Sequence, residues 1–273
     1  MAKSKNAPAA IGPRKATNNR VTRRRSTKGD RVDAAIREML AKGEIAPGEK
    51  ISLRNLAATL GVSVMPVRNA VARLQTDGVL RVEPGRAVRV PVMTSEEFRV
   101  LLRTRIEIEG FAAEIAAGAR DESDLKVIEA LSRSFEVLGS SATTRKAVAS
   151  RANMEFHFAI YRASKMPLLV DIIERLWLKA GPVVFYHIYL DRFSSASRDS
   201  VNLHAQAFDA LRRSDGSAAR KAVSEDIRQA GERLLAEGIF IDGTGKIPVP
   251  ISQLTASRGA RYARRVTAPS PSR

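Results

Sequence analysis

The chain is 273 residues long and 44% apolar, carries a formal charge of +17, and contains no cysteine. That length accommodates two domains of ordinary size. The missing cysteine excludes disulfides and thiolate metal sites and fits a reducing cytoplasm. No apolar run nears the roughly 20 residues that span a bilayer, and the first residues lack the apolar core of a secretion signal, so the reading is a soluble cytoplasmic protein with no membrane partner.

Charge is unevenly placed. Residues 1–92 hold 19 Lys and Arg against 7 Asp and Glu, residues 241–273 hold 6 against 1, and residues 93–240 balance at 21 and 21. Basic ends around a neutral middle suit a polyanion, nucleic acid before membrane. A pair of solubilising tails is the alternative that charge leaves open.

Residues 1–30 contain "PRKATNNRVTRRRSTKGD", which lacks apolar periodicity and reads as a disordered basic arm. From Arg31 onward Val32, Ile36, Met39 and Leu40 share one helical face, and "PGEK" closes that helix. A second short helix follows Ser52, with Leu53, Leu56, Ala57 and Leu60 inward and Gly61 as its stop. Ser63 is expected to cap a third helix. Its core face is Val67, Ala70, Val71 and Leu74; Met65, Arg68, Asn69 and Ala72 point outward, with Val64 and Arg73 on the flanks. Pro66 falls in the first turn of this helix, where a backbone N–H has no intrahelical acceptor to lose. After Gly78 the period switches to two, and "VLRVEPGRAVRVPV" alternates about a Pro-Gly turn as a β-hairpin does. The order over residues 31–92 is that of a winged helix-turn-helix.

Thr94 and Glu97 form the pattern of a capping box, opening a helix that runs to about Gly118. Further amphipathic stretches lie near 121–138, 143–164, 167–190, 198–213 and 217–237, with breaks at Gly139, Pro167, Gly216 and Gly238. The expected fold is therefore mostly α: a winged helix-turn-helix followed, over residues 93–240, by an all-α bundle of about six helices. Residues 241–273 read as a flexible basic tail.

A helix whose first turn enters a DNA major groove brings its N-terminal side chains to the base edges. Arg68 suits that position, because a planar guanidinium donates two hydrogen bonds to O6 and N7 of a guanine. An ordinary surface arginine is the alternative for this residue taken alone.

The stretch "LRNLAATLGVSVMPVRNAVARLQTDGVLRVEPGRAVRV" resembles the winged-helix domain of the GntR superfamily of bacterial transcription regulators, with "LA", "LGVS", "PVR", "A", "RL" and "G-L" at the family's mutual spacing. Carried over by position, the resemblance places DNA contacts on Arg54 before the second helix, on Arg68 in the third, and on Arg86 in the wing, with Ser63, Val64, Met65 and Asn69 beside Arg68. This chain departs from the family where Val64 and Met65 replace the usual Arg-Thr before the proline and Asn69 replaces the usual Glu. Apolar contact of Met65 with a thymine methyl and pairing of Asn69 with an adenine or a phosphate are the corresponding expectations.

Residues 95–237 resemble the all-helical ligand-binding domain of the FadR-type branch, the FCD domain, through "RIEIE", "NMEFHFAIYRAS" and "HAQAFDALRRSDGSAARKAV". Many members hold a divalent metal through an Asp-x-x-x-His pair and two later histidines, often completed by a small carboxylate effector. The matching positions here are Asn153, His157, His204 and Asp226, a set suited to Zn, Mn, Fe or Ni. Asn153 and His157, four apart, project from one face of a helix. Two buried core histidines with no metal are the competing reading. His187 reads as core or rim, with substitution for a missing ligand as the alternative. Arg105 matches a cavity arginine that would hold the effector's carboxylate bidentately; an ion pair with Glu109, four residues on, is the alternative. Trp177 reads as packing.

The resemblance implies a nucleoid-associated bacterial repressor or activator. A homodimer of it would grip an inverted repeat in double-stranded DNA, and the effector would shift the placement of its heads. Two other classes compete. A non-specific architectural DNA protein would use the basic arm, and a metal-dependent enzyme with a basic anchor would lack every common catalytic motif, since no His-Glu-x-x-His, Gly-x-Ser-x-Gly or phosphate-binding glycine loop is present.

Overall fold

The computed structural model describes residues 27–41, 45, 47–48, 50–82, 88–140, 146–189, 198–236 and 240. The first helix, α1 (Lys28–Ala41), opens on Thr27, whose backbone N–H donates to Asp30 while Asp30 N–H donates back to the Thr27 hydroxyl at 3.1 Å. This reciprocal cap fixes the start three residues ahead of Arg31. The helix ends before "PGEK", and the chain turns there instead into a strand that sequence periodicity misses, β1 (Lys50–Ile51). Two residues are too few to show alternation.

After β1 come α2 (Leu53–Leu60), α3 (Val64–Thr76), β2 (Arg81–Val82) and β3 (Val88–Arg89). The Ser52 hydroxyl accepts from Asn55 N–H to cap α2, and Gly61 ends it in the left-handed region at φ 64°, which a glycine adopts without steric cost. The strands form a three-stranded antiparallel sheet in the order β1-β3-β2, with Ile51 opposite Val88 and Val82 opposite Val88. Val32, Ile36 and Leu40 of α1, Leu56 and Ala57 of α2, the predicted face of α3, and Ile51 and Val88 of the sheet close one apolar core. Two ion-pair sets clamp α3 to α1: Arg37 bridges Asp33 and Asp77, and Arg73 reaches Asp33 at 3.1 Å.

The second region consists of α4 (Ser95–Ala119), α5 (Glu122–Ser140), α6 (Lys146–Ala163), α7 (Pro167–Tyr189), α8 (Arg198–Arg212) and α9 (Gly216–Ala236). The expected capping box is present, with Thr94 N–H donating to Glu97 and Glu97 N–H to the Thr94 hydroxyl. Gly139 lies inside α5 instead of breaking it, while Pro167 and Gly216 each sit at the first position of a helix. Small side chains let the longest helix pack closely: Ala112, Ala113, Ala116 and Ala117 line the buried face of α4, and Gly231 of α9 lies directly against Leu102. No helix among the described residues is long and apolar enough to cross a membrane.

The two regions meet at α7. Leu178 of α7 is 5% exposed and belongs to the apolar core of the N-terminal region, where α7 packs on α1.

Candidate functional site

The outward face of α3 carries the residues that the sequence singles out. Val67, Ala70, Val71 and Leu74 are buried, whereas Met65, Arg68 and Asn69 are exposed side by side at the N-terminal end of the helix. Val64, by contrast, packs partly against the core and is not a free member of that face. The expected cap does not form, because the Ser63 hydroxyl accepts no hydrogen bond within the helix. A capping serine takes its bond from the N–H of the second or third helical residue, and the third here is Pro66, which has none. The helix starts at Val64, with Pro66 in its first turn, and Ser63 is exposed beside Met65. Arg54 is exposed in the first turn of α2, and Arg86 of the wing lies outside the described residues.

The second site is a cavity of about 60 Å³ inside the bundle, walled by Phe98, Leu102, Val184 and Leu234 and bearing Arg105, Asn153, His157, Trp177 and Asp226. Five helices deliver its polar groups. His157 of α6, His204 of α8 and Asp226 of α9 are almost fully buried, and one ligand atom from each lies within 4.8 Å of the others. His157 Nε2 is 2.9 Å from Asp226 Oδ2, and His204 Nε2 is 3.5 Å from the same oxygen. Asn153, one turn before His157, is half-buried on the cavity wall. His187 falls in α7, and its side chain is outside those described.

His204 is held by rings: Phe156 stacks on it at 4.0 Å between centroids and Phe135 lies at 4.3 Å on a tilted plane. Neither of its nitrogens, nor Asp226 Oδ1, has a hydrogen-bond partner among the described residues. Burial, only partly opposed by Asp226, pushes the His204 pKa down and favours the neutral ring. Burial alone would push Asp226 up, but its hydrogen bond to His157 and the approach of His204 at 3.5 Å outweigh that and hold the carboxyl well below its ordinary range. Two imidazoles and a carboxylate with unfilled lone-pair positions, in a buried site, fit a divalent cation of the Zn, Mn, Fe or Ni type.

Arg105 makes the ion pair with Glu109 that the sequence left open, and it does so on the cavity wall. It lines the cavity, and its Nε donates to Glu109 Oε1 at 2.6 Å while its guanidinium stacks 4.7 Å over the Trp177 ring. Burial works against its charge, but the charge and hydrogen bond of Glu109 more than restore it. Glu109, fully buried, also accepts from Tyr161 Oη at 2.5 Å and Trp177 Nε1 at 2.9 Å. Sequence reasoning missed Glu109 and Tyr161 as site residues and took Trp177 for packing. The available signal was the i, i+4 spacing of Arg105 to Glu109 and of His157 to Tyr161, which stacks each pair on one helical face.

Residues 28–90 match the bacterial regulatory proteins, gntR family, and residues 100–229 match the FCD domain. The HTH-type transcriptional regulator McbR of Escherichia coli (strain K12) is 28% identical over 72% of this chain and 88% of its own length. The Uxu operon transcriptional regulator of the same organism is also 28% identical, over 78% of this chain and 90% of its own. The solved structure of E. coli McbR/YncC superposes with a TM-score of 0.70 at 26% identity, covering 77% of this chain and 97% of that one. A putative GntR transcriptional regulator from Rhodococcus sp. RHA1, at 22% identity and a TM-score of 0.60, shares the fold over 76% of this chain and 97% of its own.

Proposed function

The chain is a transcription regulator of the bacterial gntR family with an FCD domain behind its winged helix, and on that premise we propose that it binds one operator sequence in double-stranded DNA and releases or tightens its grip when a small carboxylate enters the bundle cavity. Its relatives are named transcriptional regulators, so the metal-dependent enzyme is set aside.

The observation that carries the reading is the exposed trio Met65, Arg68 and Asn69 at the start of a helix whose opposite face is locked in the core. In the major groove such a helix start would set Arg68 against guanine O6 and N7, Asn69 against an adenine or a phosphate, and Met65 against a thymine methyl. Arg54 and Ser63 border that face, and Arg86 would add the wing's contact. A homodimer would present two such helices to an inverted repeat. The test is selection of bound fragments from the source genome, followed by titration of the selected duplex. Arg68→Ala should cost about 1–3 kcal/mol on that sequence and little on a scrambled one. Binding of equal strength to every sequence, with a steep salt dependence, would instead mark an architectural DNA protein.

In the cavity, Asn153, His157, His204 and Asp226 would hold one divalent cation, with Arg105 beside it. The cation would supply a Lewis-acidic positive charge for the effector's carboxylate. Elemental analysis of the purified protein, and a melting temperature raised by the added metal, test that occupancy. A route from cavity to DNA runs along α7. Trp177, Ala180, Gly181 and Val184 line the cavity, while Leu178 between them is embedded in the core of the DNA-binding region. Pro182 has no N–H to give the Leu178 carbonyl, so α7 lacks a rung of its ladder at the residue that joins the two regions. A shift of the cavity wall would reach the winged helix through that segment.

A further inference from the structure

We propose that Tyr161, itself held by Glu109, is the positioning residue of the cation site: it keeps a proton on His157 Nδ1 and so leaves Nε2 as the nitrogen that faces the cation beside Asp226. The inference rests on the reading of His157, His204 and Asp226 as a divalent-cation site.

Proton counting carries it. Glu109 is ion-paired with Arg105, and a carboxylate in that state only accepts. Its Oε2 takes the indole N–H of Trp177 and the phenol of Tyr161, besides a longer contact from Arg105 Nη2 at 3.4 Å. The phenol has one hydrogen, and the 2.5 Å approach to Glu109 uses it. Tyr161 Oη therefore has only lone pairs to offer His157 Nδ1, 3.1 Å away, so that nitrogen must be the N–H. In the neutral ring Nε2 then carries the lone pair, and it points at Asp226 Oδ2 from 2.9 Å. Two lone-pair-bearing atoms at that separation are stable only with a cation between or beside them. A divalent metal held by Nε2 and Asp226 supplies that charge.

The surroundings are consistent with this order of roles. Burial, the charge of Glu109 and its hydrogen bond all push the Tyr161 phenol well above its ordinary value, so it stays a donor toward Glu109. His204 has no hydrogen-bond partner among the described residues and is packed by the rings of Phe156, Phe135 and His157. His157 is thus the one imidazole of the cluster whose donor and acceptor nitrogens are assigned by polar neighbours, in the manner of outer-shell groups that orient metal-bound histidines.

The experiment compares the parent with Tyr161→Phe, which deletes one oxygen and keeps the buried ring. Nitrogen-15 NMR of histidine-labelled protein reads each ring nitrogen, with and without zinc, and the chain has three histidines to assign. Zinc affinity is read by competition with a chromophoric chelator, and folding by circular dichroism. The parent should show His157 Nδ1 protonated in both states with zinc on Nε2. The variant should fold, bind zinc 10- to 100-fold more weakly, and lose the single His157 tautomer. An unprotonated Nδ1 in the parent overturns the assignment of roles whether or not zinc binds, and equal zinc affinity in the variant overturns the positioning role. A protonated Nδ1 in a parent that binds no zinc overturns the cation site while upholding the orientation of His157.

Discussion

Leu178→Ala tests whether the bundle and the winged helix are mechanically joined. The side chain is 5% exposed and packs in the N-terminal core, although it belongs to a helix of the other region. Truncation to alanine removes three carbons, worth about 2.4 kcal/mol at about 0.8 kcal/mol per buried methylene. Buried leucine truncations range over about 2–5 kcal/mol, and a site at the seam between two regions relaxes more readily than a closed core, so a loss of about 2–3 kcal/mol is expected. Urea denaturation measures it, followed by circular dichroism and by the fluorescence of Trp177, the single tryptophan of the chain and the neighbour of Leu178. The control is Leu168→Ala, on the same helix but 73% exposed, which should stay within about 0.5 kcal/mol of the parent. If the Leu178 variant unfolds at the same urea concentration as that control, the two regions do not share a core and the α7 route from cavity to DNA fails with it.

Three further outcomes follow from the same geometry. Ser52→Ala should destabilise by about 1 kcal/mol, because the Ser52 hydroxyl caps α2, whereas Ser63→Ala should leave thermal stability unchanged and alter only DNA binding. Gly231→Ala would drive a Cβ into both methyl groups of Leu102, with Leu102 Cγ only 2.9 Å away, so a loss of about 1–3 kcal/mol in a melting experiment is expected. Thr94→Ala removes one half of the capping box that opens α4 and should cost about 1 kcal/mol by denaturation, with operator affinity unaffected.

What the residue order determines by itself is everything set by local chemistry. The spacing of Val67, Ala70, Val71 and Leu74 dictates which side of α3 is buried and hence that Met65, Arg68 and Asn69 face outward. Thr94 with Glu97 starts α4, Gly61 stops α2, and the switch from a period near four to a period of two after Gly78 marks the wing. These signals act over a few residues, so one chain read in order contains them. Even here local inference failed at Ser63, which holds the N-cap position but makes no capping hydrogen bond, Pro66 having removed one of its two candidate donors.

The tertiary structure alone decided what joins distant segments. β1 exists because Lys50 and Ile51 pair with Val88 and Arg89, and two residues carry no periodicity to announce that. For Arg105 the sequence left open an effector's carboxylate or an intrahelical ion pair; the ion pair with Glu109 forms, and only the fold brings Trp177 and Tyr161 to the same carboxylate. Leu178 sits in an apolar stripe like any core residue of its bundle, yet it fills the core of the other region, since a buried leucine does not encode which neighbour covers it. The proposed orientation of His157 is the furthest from the sequence: it rests on a phenol one turn along α6 and a glutamate on α4, which meet only in the folded chain.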